Sequence, residues 1–291
     1  MCTHSLPCLR KAWTVQLMEN LLIVGSVADN AFVEDIAQHL RQNEDYSDLI
    51  ALKSYLNREF CPRFISDEKD IDRVGNKLEG KTILLVSTSL AELSRDELAM
   101  RNFLISRAAK DNGASRVILL EPDLFYSAQD RGPRPEHGFT MFPRDAADFK
   151  KFDGQPFSAR LYADLLKVAG VDEVITVHNH SCSVRNVFMD RLSGKYFDLK
   201  PSDLYASYIN ESDIANQDNL VLCAPDKGAL PFVLDVQKAL MRDDVPLLKM
   251  CKERRGEREV FANVADDSCI DLDAVAGKDV VVIDDMVRTG H

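Results

Sequence analysis

The chain has 291 residues, 45% hydrophobic and 29% charged, with 13 glycines and 11 prolines. That is globular composition sufficient for one large or two ordinary domains, and it excludes disordered, fibrous and low-complexity classes. Its 36 basic against 47 acidic residues give a formal charge of −11, which disfavours nucleic acid and anionic membrane as partners and requires a local site for any bound phosphate.

Residues 1–18 carry no continuous apolar stretch and read as an N-terminal extension rather than a secretory signal. No run approaches 18 consecutive apolar residues, so no membrane span is expected. Beyond the extension, short β-rich apolar runs alternate with segments of helical period, the pattern of α/β units on a largely parallel sheet. In chain order the reading is a strand at 21–25, a helix at 31–42, strands at 49–53 and 82–87, a helix at 95–112 and a strand at 116–120. A helix at 158–169 and strands at 173–177 and 220–224 follow, then a helix at 228–241 and strands at 246–250 and 279–283. In Phe157–Val168 the apolar Leu161, Leu165, Leu166 and Val168 fall on one face, which is expected to cover the sheet. Between 130 and 155 the chain is rich in Gly, Pro and Arg and follows neither period; loops of that length are functional or disordered. The order of elements repeats after a junction near 195–203. Two similar domains are therefore expected, 19–198 with the insertion at about 131–155, and 199–291. The seven cysteines are scattered with no C-x-x-C pair, so reduced thiols of a cytoplasmic protein are expected rather than zinc or disulfides.

The most informative segment is terminal, Lys278-Asp-Val-Val-Val-Ile-Asp-Asp-Met-Val-Arg-Thr-Gly-His291. A buried-type strand runs into the acid pair Asp284 and Asp285 and then into a Thr-Gly turn. At the C-terminal edge of a parallel sheet such a turn offers N–H groups to phosphate, and paired acids accept from the vicinal hydroxyls of a ribose. This segment resembles the phosphoribosyl-pyrophosphate loop of the type I phosphoribosyltransferase fold, and more closely that of the ribose-phosphate pyrophosphokinase family.

Further segments agree in the family's order. Tyr126-Ser-Ala-Gln-Asp-Arg131 resembles its Tyr-x-Arg-Gln-Asp-Arg, and Ala169-Gly-Val-Asp-Glu-Val-Ile-Thr-Val-His-Asn-His180 resembles its strand ending in Asp-Leu-His. Asp203-Leu-Tyr-Ala resembles the opening of its second domain, Ala224-Pro-Asp-Lys-Gly228 its Ser-Pro-Asp-x-Gly turn, and Lys252-Glu-Arg254 its flexible-loop Lys-x-Arg. The resemblance implies two phosphoribosyltransferase-like α/β domains and a homo-oligomer, dimer or hexamer. It implies transfer of the β,γ-pyrophosphoryl group of ATP to the C1 hydroxyl of ribose 5-phosphate, giving PRPP and AMP. By the same resemblance Lys252 and Arg254 are catalytic, Asn57, Glu59, Gln129 and Asp130 face ATP, and His180 and Asp226 hold Mg2+. Asp284, Asp285, Arg288, Thr289 and Gly290 take ribose 5-phosphate. A transfer of this kind needs in-line placement and charge neutralisation more than covalent chemistry.

The sequence departs from the family on the ATP side. Asn57 and Arg58 stand in place of Asp and Gly, Ala128 in place of Arg, Phe232 in place of a basic residue after the Pro-Asp-x-Gly turn, and Arg288 in place of a common Asp. Arg58, Arg131 and Arg134 are the candidates to supply the missing cation, and the insertion, with Arg131, Arg134 and Arg144, is expected to remodel the nucleotide entrance. The chain ends inside the phosphate loop, where family members continue with a helix, so the second domain reads as truncated. Two alternatives stand beside the synthetase: a weakened homologue that regulates active subunits, and a phosphoribosyltransferase that consumes PRPP. The altered ATP side favours the first of these; retention of His180, Asp226, Lys252 and the acid pair opposes it.

Overall fold

The computed structural model describes residues 20–42, 45–65, 69, 71–140, 143–179, 181–212, 214–216, 218–242, 244–254 and 260–284, without the side chains of 252–254 and 260–262. The chain divides into two compact units, the first ending at Leu199 and the second beginning at Lys200.

The first unit is built on β1 (Leu21–Gly25), β4 (Thr82–Val86), β5 (Arg116–Leu120), β6 (Glu173–Val177) and β7 (Tyr196–Leu199), all parallel and in that spatial order. Every residue of β4 is buried, because parallel sheets are covered on both faces and their strands read as unbroken apolar runs. A separate antiparallel hairpin joins β2 (Ile50–Ser54) to β3 (Phe60–Phe64). The helices are α1 (Ala31–His39), α2 (Tyr46–Leu49), α3 (Arg95–Asp111), α4 (Ala146–Lys151), α5 (Ser158–Ala169) and α6 (Cys182–Arg191). Local chemistry sets several boundaries. A reciprocal Ser94–Glu97 capping box starts α3, and Gly170, left-handed at φ 102°, stops α5. A Cβ at Gly170 would lie 2.5 Å from Lys110 Cγ.

Two expectations are corrected here. The buried face of α5 is Ala159, Tyr162, Ala163, Leu166 and Ala169, whereas Leu161, Leu165 and Val168 are exposed. Three small residues let the helix approach the sheet closely, and Tyr162 rather than a leucine stripe fills the centre. The tyrosine buries its ring at a polar cost only because its hydroxyl reaches Glu121, 2.9 Å from Oε1.

The 130–155 segment is not aperiodic, and two of its three arginines, Arg131 and Arg144, are engaged within the fold, whereas Arg134 is exposed. The segment carries α4, and Arg144, with only 6% of its side chain exposed, binds it from inside. Its guanidinium donates to Asp148 Oδ2 at 2.6 Å and to the carbonyls of His137 and Gly132, both at 2.7 Å. The Phe149 ring lies 4.6 Å beneath it. Arg131 pairs with Asp130 and Asp148. A planar five-donor fork satisfies several turn carbonyls at once, which an ammonium does not. Arg144→Lys is therefore expected to lower the thermal midpoint by several degrees and to speed amide exchange over this segment; an unchanged midpoint would contradict the assignment.

Among the described residues the second unit has four strands, β8 (Leu220–Ala224), β9 (Leu247–Arg254), β10 (Val260–Val264) and β11 (Asp279–Val282), in spatial order β10-β9-β8-β11. β8 runs parallel to both β9 and β11, and β10 closes the edge antiparallel to β9. Helices α7 (Ser202–Glu211) and α8 (Leu230–Ala239) pack on β8. Phe232 is buried in that core, edge-on to Tyr205 at 5.3 Å, so the aromatic that replaces a basic residue anchors α8 to α7. Among the described residues both units are α/β with mainly parallel sheets flanked by helices, the fold class expected from sequence.

Candidate active site

The second unit gathers its chemistry at the C-terminal edge of the sheet. Val282 pairs with Cys223, and the Ile283 N–H donates to the Cys223 carbonyl at 3.1 Å. Both parallel strands therefore leave the sheet at one edge, β8 into Pro225-Asp226-Lys227-Gly228 and β11 into Asp284. Ligands of open parallel sheets bind at such an edge. Asp226 Oδ1 accepts from the Gly228 N–H at 2.9 Å and the Ala229 N–H at 3.1 Å. This turn orients the carboxylate and leads into α8. A Cβ on Gly228 would sit 3.1 Å from that oxygen. Asp284, half-buried, follows the end of β11, the strand that neighbours β8. Asp285, Arg288, Thr289 and Gly290 lie outside the described residues.

Lys252 and Arg254 are alternate positions of β9, paired in backbone register with Ala262 and Val260 of β10. Pairing of β9 with β8 ends at Lys249 opposite Ala224. The β9–β10 ribbon thus continues past the end of β8 as an arm rooted at the same edge that carries Asp226 and Asp284.

In the first unit the Gln129–Asp130 loop is fastened to the start of α6. Asp130 Oδ2 accepts from Ser181 Oγ at 2.6 Å, and its carbonyl accepts from Ser183 Oγ at 2.6 Å. Ser181 also caps α6, accepting from the Val184 N–H at 3.2 Å. Asp130 is thereby held against the neighbour of His180, a residue outside the described set. The two serines escaped the sequence reading; the signal was the Ser-x-x spacing of an N-cap. Gln129 Oε1 accepts from Ser158 Oγ at 2.5 Å. Asn57 and Glu59 sit at the exposed tip of the β2–β3 hairpin, where Asn57 Oδ1 accepts from the Glu59 N–H at 3.1 Å. Among the described residues no hydrogen bond or ion pair joins that tip to Gln129 or Asp130.

Beneath the Gln129–Asp130 loop lies Glu121, fully buried at the end of β5. It accepts from Asn102 Nδ2 at 3.0 Å, from the Tyr162 hydroxyl and from the Phe125 N–H at 3.0 Å. Burial pushes its carboxyl up to about 8 against those donors. The Tyr162 ring in turn meets that of Tyr126 at 5.2 Å, tilted by 54°, and the Tyr126 carbonyl accepts from the Gln129 N–H.

A cleft of about 480 Å³ at the opposite edge of this sheet is lined by Arg107, Lys110, Lys167, Arg191 and Lys195. It is not a phosphate site of the same kind. Lys110 is 2.7 Å from Asp172, Arg107 2.7 Å from Asp111 and Arg191 2.6 Å from Asp164. These cations also stand in or near the last turns of α3, α5 and α6, where they complement the helix dipoles.

Among the described residues no three His, Cys, Asp or Glu side chains form a ready-made metal cage. Mg2+ takes one or two carboxylates together with waters and phosphates, so an oriented Asp226 fits it, and a closed zinc site is not what these donors make.

Comparison with known proteins agrees with this geometry. The phosphoribosyl transferase domain family matches residues 200–291. A ribose-phosphate pyrophosphokinase of Methanobrevibacter smithii is 26% identical over 284 residues, covering 92% of this chain and 77% of that protein. Its namesake in Methanothermobacter thermautotrophicus is 29% identical over 238 residues, covering 81% and 70%. In fold, the chain is similar to the crystal structure of phosphoribosylpyrophosphate synthetase from Mycobacterium smegmatis, with a TM-score of 0.67 at 24% identity over 93% of this chain and 73% of that one. The motifs thus run along both units in the order of the ribose-phosphate pyrophosphokinases, the proteins to which the chain is similar over most of its length.

Proposed function

We propose that the protein makes PRPP, transferring the β,γ-pyrophosphoryl group of ATP to the C1 hydroxyl of ribose 5-phosphate with release of AMP. The observation that carries this reading is the arrival of Asp226, Asp284 and the Lys252–Arg254 arm at one edge of the second sheet. In this reading Asp284, with Asp285, accepts from the ribose hydroxyls, and the Arg288-Thr-Gly turn takes the 5-phosphate. Lys252, with Arg254, meets the charge that develops on the transferred group. Gln129 and Asp130 serve the nucleotide. Asp226 contributes to holding Mg2+, which when bound neutralises phosphate charge. The exposed Asn57–Glu59 tip also contributes to ATP, and the protein works as a homo-oligomer in the cytoplasm.

The test is direct. The whole protein incubated with ATP, ribose 5-phosphate and Mg2+ is expected to release AMP only when the sugar phosphate is present. A folded protein that releases none would overturn the reading in favour of a regulatory homologue, and consumption of added PRPP with a base would point to a phosphoribosyltransferase.

A further inference from the structure

The last residue of β9 held by β8 is Lys249, opposite Ala224; from Met250 onward β9 pairs only with β10. A two-stranded ribbon has little stability of its own, so the direction in which this arm leaves the sheet is set at its root. There, every polar group of Lys249 is engaged by one turn. Its N–H donates to Ser268 Oγ at 3.0 Å, and its carbonyl accepts from the Ala265 N–H at 2.8 Å. Its ammonium donates to both the carbonyl and Oδ2 of Asp267, each at 3.0 Å. Ser268 Oγ passes the chain of bonds on to the Ile270 carbonyl at 2.7 Å. Lys249 is covered, with 19% of its side chain exposed, while Asp267 is 73% exposed.

This cation stands at the catalytic edge, three residues before Lys252, and the structure uses it on the protein's own chain. We infer that Lys249, Asp267 and Ser268 form a clasp that fixes the root of the β9–β10 arm and thereby positions Lys252 for pyrophosphoryl transfer. Lys249 is on this view a positioning residue and does not touch substrate. The inference rests on the proposed function for its catalytic half, whereas the clasp itself is a property of the fold. Its signature is a split between local and global effects. An ion pair with one partner this exposed adds little to overall stability, yet two bonds from one ammonium at the base of a ribbon govern how often the ribbon opens.

The experiment compares the whole protein with Asp267→Asn, Lys249→Met and Lys249→Arg by hydrogen exchange and steady-state kinetics. Asp267→Asn and Lys249→Met are expected to speed exchange at 250–254 and 260–264 about tenfold, with the thermal midpoint nearly unchanged. kcat is expected to fall about tenfold from misplacement of Lys252, with KM for ribose 5-phosphate unmoved. Lys249→Arg, which still reaches the Asp267 carboxylate, restores both. Unchanged exchange in both breaking variants overturns the clasp. So does a raised KM in Lys249→Met alone, because that assigns Lys249 to the substrate. A wild-type protein with no AMP release strikes the proposed function instead, and the exchange result still decides the clasp.

Discussion

Replacing Lys252 by alanine is expected to lower kcat for AMP release by about 10²–10³-fold, the usual cost of removing one preorganised donor from a developing charge. The basis is placement. The register of β9 against β8 and then β10 carries position 252 past the sheet edge at which Asp226 and Asp284 emerge. A cation that acts on the transferring group, and not on bound ground-state substrate, lowers kcat and kcat/KM together when lost and leaves KM nearly constant. Lys252→Arg is expected to restore only part of the rate, since a planar guanidinium presents its charge differently from a point ammonium. The decisive measurement is initial-rate AMP formation at saturating ATP and ribose 5-phosphate. A kcat within twofold of wild type would remove Lys252 from the catalytic role.

Glu121 gives the second large effect, on stability. With its folded pKa at about 8 and an ordinary unfolded value near 4.5, the folded protein holds a proton that the unfolded chain has lost across that interval. The folded state binds more protons, so stability contributed by this group is fully present below about pH 4.5. It falls as pH rises, by about 1.4 kcal/mol per pH unit at most, until the group ionises near pH 8. Glu121→Gln keeps the shape and an acceptor for Tyr162 but carries no charge to bury. Urea unfolding between pH 5 and 8.5 is therefore expected to show the wild type losing stability relative to the variant, by up to about 4 kcal/mol across the range. Parallel curves for the two proteins would show that Glu121 is ionised in the fold. Because Tyr162 donates to this carboxyl and its ring contacts that of Tyr126, whose carbonyl accepts from the Gln129 N–H, the same titration is expected to loosen the Gln129–Asp130 loop as pH rises.

How much of this was legible beforehand follows physical lines. Strands β1, β4, β5 and β8 were readable because a strand buried on both faces is an unbroken apolar run. By contrast β10 exists only as the partner of β9, and β7 is a four-residue edge strand with one buried side chain, Tyr196. Helix α6 has little apolar periodicity and is started by the Ser181 cap. The face that α5 buries was misread, since a count of leucines outweighed the small residues that allow close approach to a sheet.

The sequence by itself determined the features whose forces are satisfied within a few residues. These are the apolar strand runs, the Ser94–Glu97 box, the stop at Gly170, the Asp226 turn and the order of motifs shared with the ribose-phosphate pyrophosphokinases. Tertiary structure alone decided where partners lie far apart in the chain. It placed Arg144 inside the insertion, bonded to Gly132 twelve residues away, and Phe232 in the α7–α8 core. Likewise it set Tyr162 on Glu121 across 41 residues and Lys249 on Asp267 across 18. A charged side chain looks the same in sequence whether it waits for a phosphate or closes a fold. Only the partner, brought near by packing, determines which.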